Sequence, residues 1–360
     1  MRKVVTVLGA RPQFVKAAVL SRVIKKHQAI EEVIVHTGQH FDANMSAVFF
    51  EEMMIPTPKY NLEINSMSHG AMTGRMIEEI EKVLEIEKPD ALVIYGDTNS
   101  TIAGALAAKK MHIKVIHIEA GLRSFNMKMP EEINRILTDR IADLLSCPTQ
   151  TAIDNLQKEG FDNLPILIEK HGDIMKDAVE YYSQYSAEKS SILKDQKLHA
   201  NGFVLATLHR QENTDDEEKL RSIFAALEEI HKSQPVVLPL HPRTKSILEK
   251  LSIQPKIQLI DPIGYYSMLE LLKNCSMVIS DSGGLQKEAF FNNKHCIIVR
   301  DETEWVELVT NGFAKVVGSN TKTIVETFEA YKGSIKDFSI ELYGNNVGEK
   351  IYQSIYQLIH

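Results

Sequence analysis

The chain has 360 residues, of which 44% are hydrophobic and 25% charged, so it is long enough for two globular domains of ordinary size. Its formal net charge of −7 gives no basic surface for a nucleic-acid partner. No apolar run reaches membrane-spanning length, and the first run, residues 4–8, is too short for a signal peptide. The three cysteines are far apart in apolar surroundings, which indicates buried free thiols in a reducing compartment. We therefore expect a cytoplasmic protein that neither binds nucleic acid nor inserts into a membrane.

Short β-branched runs alternate with longer amphipathic stretches in the first half of the chain. This alternation is typical of a parallel sheet that helices cover on both faces. The predicted strands are residues 4–8, 32–36, 91–95, 115–118, 144–147 and 166–168, and the predicted helices are residues 12–26, 73–87, 100–110 and 131–142.

A second series follows residues 169–200, which are polar and irregular. Its predicted strands are residues 203–207, 236–240, 258–260, 277–280 and 296–299, and its predicted helices are residues 217–231, 244–251, 266–273, 284–291 and a stretch around 304–309. The sequence thus predicts an α/β protein of two Rossmann-like parallel-sheet domains, with a boundary near residues 168–172. Such sheets bind ligands at the carboxyl ends of their strands, and two facing sheets would place a site in the cleft between them.

The stretch from Asp281 to Glu288 is a candidate binding motif. Ser282, Gly283 and Gly284 lie between a short apolar strand and a helix. Glycines there let a ligand approach the backbone, and the free N–H groups of the helix attract an anion. Glu288, one turn later, could bind the two hydroxyls of a ribose. The combination suggests a nucleotide diphosphate; the alternative is an ordinary turn with a serine cap.

Charged residues also follow the first predicted strand. Arg11 comes two residues after Gly9, and Lys16 lies five residues further on. Together with a helix N-terminus they could hold a diphosphate or a developing negative charge. The alternative is the charged first turn of a surface helix.

Three carboxylates lie at the ends of predicted elements in the first half. Asp97 follows strand 91–95, Glu119 follows strand 115–118, and Glu131 opens helix 131–142. Each has a structural alternative, because Asp97 could cap a helix, Glu119 could pair with Arg123, and Glu131 could favour the helix dipole. Taken together, they could provide acid and base groups in one site.

Two histidines occupy matching positions in the second half. His209, with Arg210 beside it, follows strand 203–207, and His241 follows strand 236–240. The arrangement resembles a phosphate or leaving-group site, although either histidine alone could be a helix cap or a residue at the edge of the core.

Metal and cofactor motifs have little support. HExxH, CxxC, GxGxxG and GxSxG do not occur, and His36, His40 and His69 would meet only by chance of the fold. We expect no metal and no cofactor.

Together these motifs resemble the non-hydrolysing UDP-N-acetylglucosamine 2-epimerases over nearly the whole chain. The matching segments are Gly9-Ala10-Arg11-Pro12 with Lys16, Gly96-Asp97-Thr98, Glu119-Ala120-Gly121-Leu122-Arg123, Pro130-Glu131-Glu132 with Asn134-Arg135, His209-Arg210, and Asp281-Ser282-Gly283-Gly284 with Glu288. The resemblance implies the GT-B architecture, with an N-terminal domain of residues 1–168 and 346–360 facing a UDP-binding domain of residues 169–345 across a cleft. It also implies a homodimer.

The resemblance further implies roles for the matching residues. Catalytic roles fall to Asp97, Glu119, Glu131 and His209, and contacts with UDP or the sugar fall to Arg11, Lys16, Arg135, Arg210, His241, Ser282, Gly283, Gly284 and Glu288. The implied reaction converts UDP-N-acetylglucosamine to UDP-N-acetylmannosamine for surface polysaccharide synthesis.

Elimination of UDP explains how a carboxylate could act at C2 of the sugar. The C2 proton is not next to a carbonyl, but departure of UDP gives C1 oxocarbenium character and acidifies the C2–H. Cations and helix N-termini would stabilise the departing diphosphate. Proton return to the other face of the 2-acetamidoglycal, followed by re-addition of UDP, gives the epimer.

Departures from the family pattern concern regulation and substrate. Gln13 and Gln211 replace a common Glu and a common Arg, and residues 41–46 differ from a stretch linked to activation by a second substrate molecule, which argues against allosteric activation. Residues 41–46, 124–127 and 303–307 look more like the subgroup that acts on UDP-2,3-diacetamido-2,3-dideoxyglucuronate. That sugar is the alternative substrate.

Two other classes of protein share part of this pattern. A GT-B glycosyltransferase would need an acceptor site but not three carboxylates facing the sugar. A nucleotide-sugar sensor would bind UDP without turnover, and the complete set of carboxylates argues against it.

Overall fold

The computed structural model describes residues 1–39 and 53–360. The first compact unit comprises Met1–Ala178 and Glu341–His360, and the second comprises Val179–Ile340. The domains predicted from the sequence, residues 1–168 with 346–360 and residues 169–345, stay a prediction.

The first unit contains a parallel sheet whose inner strands are buried. Its strands are β1 (Arg2–Leu8), β2 (Ile30–His36), β3 (Tyr60–Asn61), β4 (Ala91–Tyr95), β5 (Lys114–Ile118), β6 (Leu144–Cys147) and β7 (Leu167–Lys170). They lie in the order β3-β2-β1-β4-β5-β6-β7, and all neighbouring pairs are parallel. Strands β4 and β6 are buried at every residue, as expected where helices cover both faces of a sheet.

The helices of the first unit connect these strands. They are α1 (Arg11–His27), α2 (His69–Glu87), α3 (Asn99–Lys110), α4 (Pro130–Ile141) and α5 (Gln150–Lys158), with α6 (Ile174–Tyr182) extending into the second unit. Helices α1 and α4 carry Pro in their first turn, where the missing N–H costs no helical hydrogen bond.

The second unit repeats the design. Strands β8 (Val204–Thr207), β9 (Val236–Pro239), β10 (Gln258–Ile260), β11 (Met277–Ser280), β12 (Cys296–Ile298) and β13 (Ala314–Val316) form a parallel sheet in the order β10-β9-β8-β11-β12-β13. Its helices are α7 (Ser186–Lys189), α8 (Ile192–Asp195), α9 (Gln211–Thr214), α10 (Glu217–His231), α11 (Pro242–Lys250), α12 (Tyr265–Asn274), α13 (Gly283–Phe291), α14 (Val306–Thr310) and α15 (Thr321–Tyr331). A last helix, α16 (Val347–Ile359), belongs to the first unit.

The register of each sheet decides which loops emerge side by side. Tyr95 at the end of β4 pairs with Ile118 at the end of β5. Thr207 at the end of β8 pairs with Ser280 at the end of β11. Parallel strands end at the same edge, so the segments that follow them are neighbours. Asp97 and Glu119 therefore lie in neighbouring loops of the first sheet, and His209 and Ser282 lie in neighbouring loops of the second.

Several elements differ from the sequence-based expectations. Residues 169–200, expected to be irregular, contain the end of β7 and the helices α6, α7 and α8. Helix α15 and strand β13 in the second unit, and α5 in the first, were not predicted. The three cysteines are free and buried, as predicted.

Candidate active site

Gln13 joins the loop after β1 to the loop after β4. Its Oε1 accepts hydrogen bonds from the N–H groups of Gly9 (2.7 Å) and Ala10 (3.0 Å), and its Nε2 donates to the carbonyl oxygen of Tyr95 (2.7 Å). The same nitrogen lies 3.0 Å from each of two threonine hydroxyls around the start of α3. A Cβ at Gly9 would lie 2.0 Å from Ser100 Oγ, so only glycine fits there. These contacts fix the two loops against each other.

Lys16 and Glu119 form an ion pair beside Gly96. Lys16 Nζ lies 2.7 Å from Glu119 Oε1, and both side chains are largely buried. A Cβ at Gly96 would lie 3.6 Å from Lys16 Nζ and 3.8 Å from Glu119 Oε1. Arg11, the first residue of the helix that carries Lys16, is half-buried. Lys16, on the helix that follows β1, and Glu119, in the loop that follows β5, thus place a cation and a carboxylate together.

The backbone of Glu119 is in the left-handed region, with φ 69°. This conformation is uncommon for a residue with a Cβ and costs on the order of 1–3 kcal/mol. Strain of this kind persists where the surrounding structure holds it, and here the N–H groups of Glu119 and Ala120 both donate to the carbonyl oxygen of Ser146 (3.1 Å each). The strain marks Glu119 as a candidate functional residue.

Asp97 is held by helix α4. Its Oδ2 lies 2.5 Å from Arg135 Nη2, and its carbonyl oxygen accepts from Asn134 Nδ2 (3.0 Å). Arg135 also pairs with the buried carboxylate of Glu132. The expected alternative, in which Asp97 caps the next helix, is wrong. Thr98 is the cap of α3, because its hydroxyl accepts from the N–H of Thr101.

Glu131 stands in the first turn of α4, half-buried, where a carboxylate suits the helix dipole. Its neighbour Glu132 is fully buried and accepts from the N–H groups of Ser124 (3.0 Å) and Phe125 (2.9 Å). The two adjacent glutamates thus differ in role: Glu132 fixes the preceding loop, while the Glu131 carboxylate has no hydrogen-bonding partner among the described residues.

Arg123 does not pair with Glu119, so the expected salt bridge is wrong. The guanidinium of Arg123 instead donates to Asp139 Oδ2 (2.7 Å) and to Glu159 (2.7 and 2.9 Å). Gly121, with φ 79°, turns the chain between Glu119 and Arg123, so the two side chains part although they are four residues apart. Glu119 is therefore left to Lys16.

Asp281 organises the loop after β8 in the second unit. Its buried carboxylate accepts from the N–H groups of His209 (3.0 and 3.2 Å) and Arg210 (2.9 Å), and His209 Nδ1 lies 3.2 Å from Oδ1. Burial alone would raise the pKa of Asp281, but the hydrogen bond and charge of His209 and the backbone N–H donors outweigh it and lower the pKa. Asp281 is thus a fixed anion beneath His209 and Arg210.

His209 and His241 come together as predicted from their strand ends. Their rings lie 5.8 Å apart between centroids. His241 is also the cap of α11, because its Nδ1 accepts from the N–H of Arg243 (3.2 Å). The capping interpretation of His241 therefore holds alongside any role in binding.

The start of α13 is open for a ligand. Ser282 caps the helix, accepting from the N–H of Leu285 (3.5 Å). Within the described part of the chain, a Cβ at Gly284 would have no heavy atom within 4 Å, and one at Gly283 would lie 3.9 Å from Arg210 Nη2. Glu288, one turn along, is buried and lies 3.3 Å from the Tyr265 hydroxyl. Free N–H groups, a cation and a carboxylate therefore occur in one short region.

Several charged residues near the start of α13 are buried and were not predicted as site residues. Arg300 lies 3.0 Å from Glu304 and 3.2 Å from Glu212, and Lys287 Nζ lies 3.8 Å from the centre of the Trp305 ring. Three other polar residues with organising contacts were also not predicted as site residues, namely Gln13, His117 and Asp139, while Asp281 was named only as the first residue of the candidate motif. The sequence feature that could have identified them is a polar side chain within or directly after an apolar strand, or on the inner face of a helix.

In residues 1–39 and 53–360, no group of three or more His, Cys, Asp or Glu side chains is arranged to hold a metal ion. None of the helices described above is long and apolar enough to cross a membrane.

Comparison with known proteins decides the family. A sequence model described as UDP-N-acetylglucosamine 2-epimerase matches residues 22–356. The chain belongs to this epimerase family. The UDP-2,3-diacetamido-2,3-dideoxy-D-glucuronate 2-epimerase of Pseudomonas aeruginosa is 53% identical over 343 residues, which cover 95% of this chain and 96% of that protein. The predicted enzyme class, an isomerase of this epimerase family, is confirmed.

Solved epimerase structures share the fold over almost the whole chain. The Methanocaldococcus jannaschii UDP-GlcNAc 2-epimerase, crystallised with UDP-GlcNAc and UDP, matches with a TM-score of 0.91 and 39% identity, covering 99% of both chains. The Neisseria meningitidis UDP-GlcNAc 2-epimerase, bound to UDP-GlcNAc, matches with a TM-score of 0.86 and 31% identity, covering 99% of this chain and 100% of that one. The GT-B architecture predicted for this epimerase is confirmed. The roles of individual site residues stay predictions.

Proposed function

We propose that this epimerase inverts C2 of a UDP-2-acetamido sugar by eliminating and re-adding UDP. The observation that carries the proposal is the group of carboxylates at one edge of the first sheet. Asp97 and Glu119 follow adjacent strands, and Glu131 lies one helical turn before the arginine that holds Asp97. Lys16 and Arg135 supply cations at the same edge. Proton transfer to and from a carbon needs such paired acid and base groups.

The proposed reaction balances without an external oxidant. The bond from C1 to the UDP oxygen breaks, UDP leaves as an anion, and a carboxylate takes the C2 proton to give the 2-acetamidoglycal. A proton then returns to the opposite face of C2, and the UDP oxygen adds back to C1. Asp97, Glu119 and Glu131 are proposed to handle the protons, with His209 assisting.

The second unit is proposed to hold the leaving group. The N–H groups of Gly283 and Gly284, the hydroxyl of Ser282 and the guanidinium of Arg210 would stabilise the diphosphate. Glu288 would bind the ribose hydroxyls, and His241 would lie beside the phosphates with His209. Arg11 and Lys16, in the first unit, would stabilise negative charge that develops during the reaction.

The diacetamido glucuronate is the better-supported substrate. The relative named for that sugar is 53% identical, whereas the solved UDP-GlcNAc 2-epimerases are 39% and 31% identical. UDP-N-acetylglucosamine is the second candidate, because those structures contain it. Either product would supply surface polysaccharide synthesis. We also propose that the enzyme is cytoplasmic and that it forms a homodimer. Sedimentation of the purified protein would test the homodimer.

Deuterium exchange tests the reaction. Each UDP-sugar is incubated alone with the enzyme in D2O, and C2 is followed by NMR. Deuterium at C2 with loss of configuration is expected, with faster turnover of the diacetamido glucuronate. Unchanged substrate in the absence of an acceptor would refute epimerisation and favour a glycosyltransferase.

Asp97→Asn tests the proton-transfer role. Its turnover is expected to fall far below that of the wild type, while UDP affinity, measured by calorimetry, stays the same because the proposed UDP contacts lie mainly in the other unit. The exposed Asp162→Asn is the matched control. A rate within about tenfold of the wild type, ~1.4 kcal/mol of barrier, would contradict the role.

A further inference from the structure

His117 is a fully buried histidine in β5, two residues before Glu119. Its Nδ1 lies 2.7 Å from Asp139 Oδ1, and its Nε2 lies 2.6 Å from the carbonyl oxygen of Gly96. Both ring nitrogens therefore face oxygen atoms at hydrogen-bonding distance.

The two oxygens fix the protons on the ring. A backbone carbonyl can only accept, so Nε2 carries a proton. Asp139 also accepts from Arg123 Nη1 (2.7 Å) and from the N–H of Gly121 (3.1 Å) through its other oxygen. These two donors, one of them the positively charged guanidinium of Arg123, stabilise Asp139 as a carboxylate independently of His117. A carboxylate accepts as well, so the same geometry favours a proton on Nδ1.

The surrounding charges are consistent with this assignment. Asp139 and Glu159 are the carboxylates of the cluster, Arg123 is its guanidinium, and His117 lies beside Asp139. Beyond Gly96 lies the Lys16–Glu119 pair. Burial raises the pKa of the Cys147 thiol well above its usual range, so this nearby group is neutral. The cluster pairs each buried cation with a carboxylate, which is the condition for burying charge.

The cluster touches both loops that carry the proposed catalytic carboxylates. His117 holds the carbonyl of Gly96, and since the peptide is planar and trans, this fixes the N–H of Asp97 on the opposite side. Asp139 holds the N–H of Gly121, two residues after Glu119. Asp139 also lies one turn beyond Arg135, the partner of Asp97, on the same face of α4.

We propose that His117 is a positively charged positioning residue that, with Asp139, holds the Asp97 and Glu119 loops in the geometry needed for proton transfer at C2. The role deepens the proposed epimerase function and rests on it. His117 does not itself touch the sugar. Placement errors of about 1 Å at reacting groups can cost on the order of a hundredfold in rate, so the effect is expected in kcat.

Nitrogen-15 NMR of the histidine-labelled protein tests the charge directly. Because each ring nitrogen of His117 faces an acceptor oxygen, both are expected to show the protonated signature. His117→Gln assigns the signal by removing it, and Asp139→Asn is expected to shift it to the neutral form. A neutral His117 in the wild type would overturn the proposal, whatever the enzyme's activity.

Steady-state kinetics tests the positioning role. His117→Gln is expected to lower kcat about a hundredfold while KM and UDP affinity stay within about threefold. The exposed His112→Gln is the matched control and is expected to behave as the wild type. A kcat within about threefold of the wild type in folded His117→Gln would overturn the proposal. A wild type that turns over neither UDP-sugar would refute the epimerase function instead, while the NMR result still decides the charge of His117.

Discussion

At the scale of single residues, Gln13 shows how one amide can hold two loops. Gln13→Ala leaves the N–H groups of Gly9 and Ala10 without their acceptor in a buried site. Each unmet buried group costs about 1–3 kcal/mol, so we expect the first unit to lose roughly 2–6 kcal/mol. Hydrogen–deuterium exchange of peptides from β1 and α3 should then be at least about 30-fold faster.

The exposed Gln157→Ala serves as the control for this prediction, since the Gln157 side chain is on the surface of the same unit. Equal exchange rates in Gln13→Ala and Gln157→Ala would show that the amide does not hold the loops.

Asp281 gives a prediction about pH in the second unit. Its pKa is lowered in the folded protein, so its stabilising effect is present above the unfolded value of about 3.9 and is lost as the pH falls through the folded value. Asp281→Asn is expected to destabilise the unit by roughly 2–3 kcal/mol at neutral pH, and the difference should shrink below about pH 4.

Urea unfolding followed by fluorescence measures this difference, because the chain's single tryptophan, Trp305, lies in the same unit. The exposed Asp261→Asn should match the wild type throughout. A stability difference for Asp281→Asn that stays constant from neutral pH to pH 3 would contradict the assignment of charge.

Residue positions were more predictable than residue partners. Asp97 and Glu119 could be placed from sequence because a parallel sheet puts its strand ends at one edge. The partner of Glu119 could not, since the left-handed turn at Glu119 and Gly121 sends Arg123 toward α4 and leaves Lys16 in its place. Backbone turns of this kind depend on contacts distant in sequence.

At the scale of elements, α13 contains a glycine, Gly284, that is proposed to be needed for ligand binding and not for folding. A Cβ at Gly284 meets no described atom within 4 Å, so Gly284→Ala should not clash and should stabilise the helix by up to about 1 kcal/mol. The same methyl group would occupy the space where a phosphate approaches the N–H groups. We therefore expect at least a tenfold loss of UDP affinity in calorimetry, about 1.4 kcal/mol.

Gly74→Ala in α2 is the matched control, since a Cβ there also meets no described atom within 4 Å. It should raise the melting temperature without changing UDP affinity. Unchanged UDP affinity in Gly284→Ala would remove the start of α13 from the proposed UDP site.

The apolar pattern predicted the type of many elements, although it missed the eleven-residue helix α15. Helix α10 and strands β4, β6, β10 and β11 have the predicted limits. The short helices α7 and α8 were missed because four residues carry too little periodic signal. Tertiary packing, rather than local propensity, stabilises such short helices.

At the scale of the whole molecule, the sequence pattern predicted both sheets. The placement of the last residues of the chain on the first domain could be predicted only from the family resemblance. The pattern of residues 347–359 indicates an amphipathic helix, and nothing local says which unit it covers. The structure places α16 against α1: a Cβ at Gly348 would lie 2.8 Å from Val19 Cγ1, and the rings of His27 and Tyr352 stack 4.3 Å apart. The chain therefore leaves the first unit within α6 and returns to complete it.

Removing residues 347–360 tests this completion. The deletion takes away five buried apolar side chains, namely Val347, Ile351, Tyr352, Ile355 and Ile359. Burial of each contributes roughly 1.5–3 kcal/mol, so their sum reaches the whole stability of a typical domain, about 5–15 kcal/mol. It also uncovers the face of α1 around Val19. We expect the first unit to lose its cooperative unfolding transition in circular dichroism and the enzyme to lose turnover. Deletion of the exposed His360 alone should change neither. A truncated chain that unfolds cooperatively in both units would mean that α16 covers the first unit without being needed to fold it.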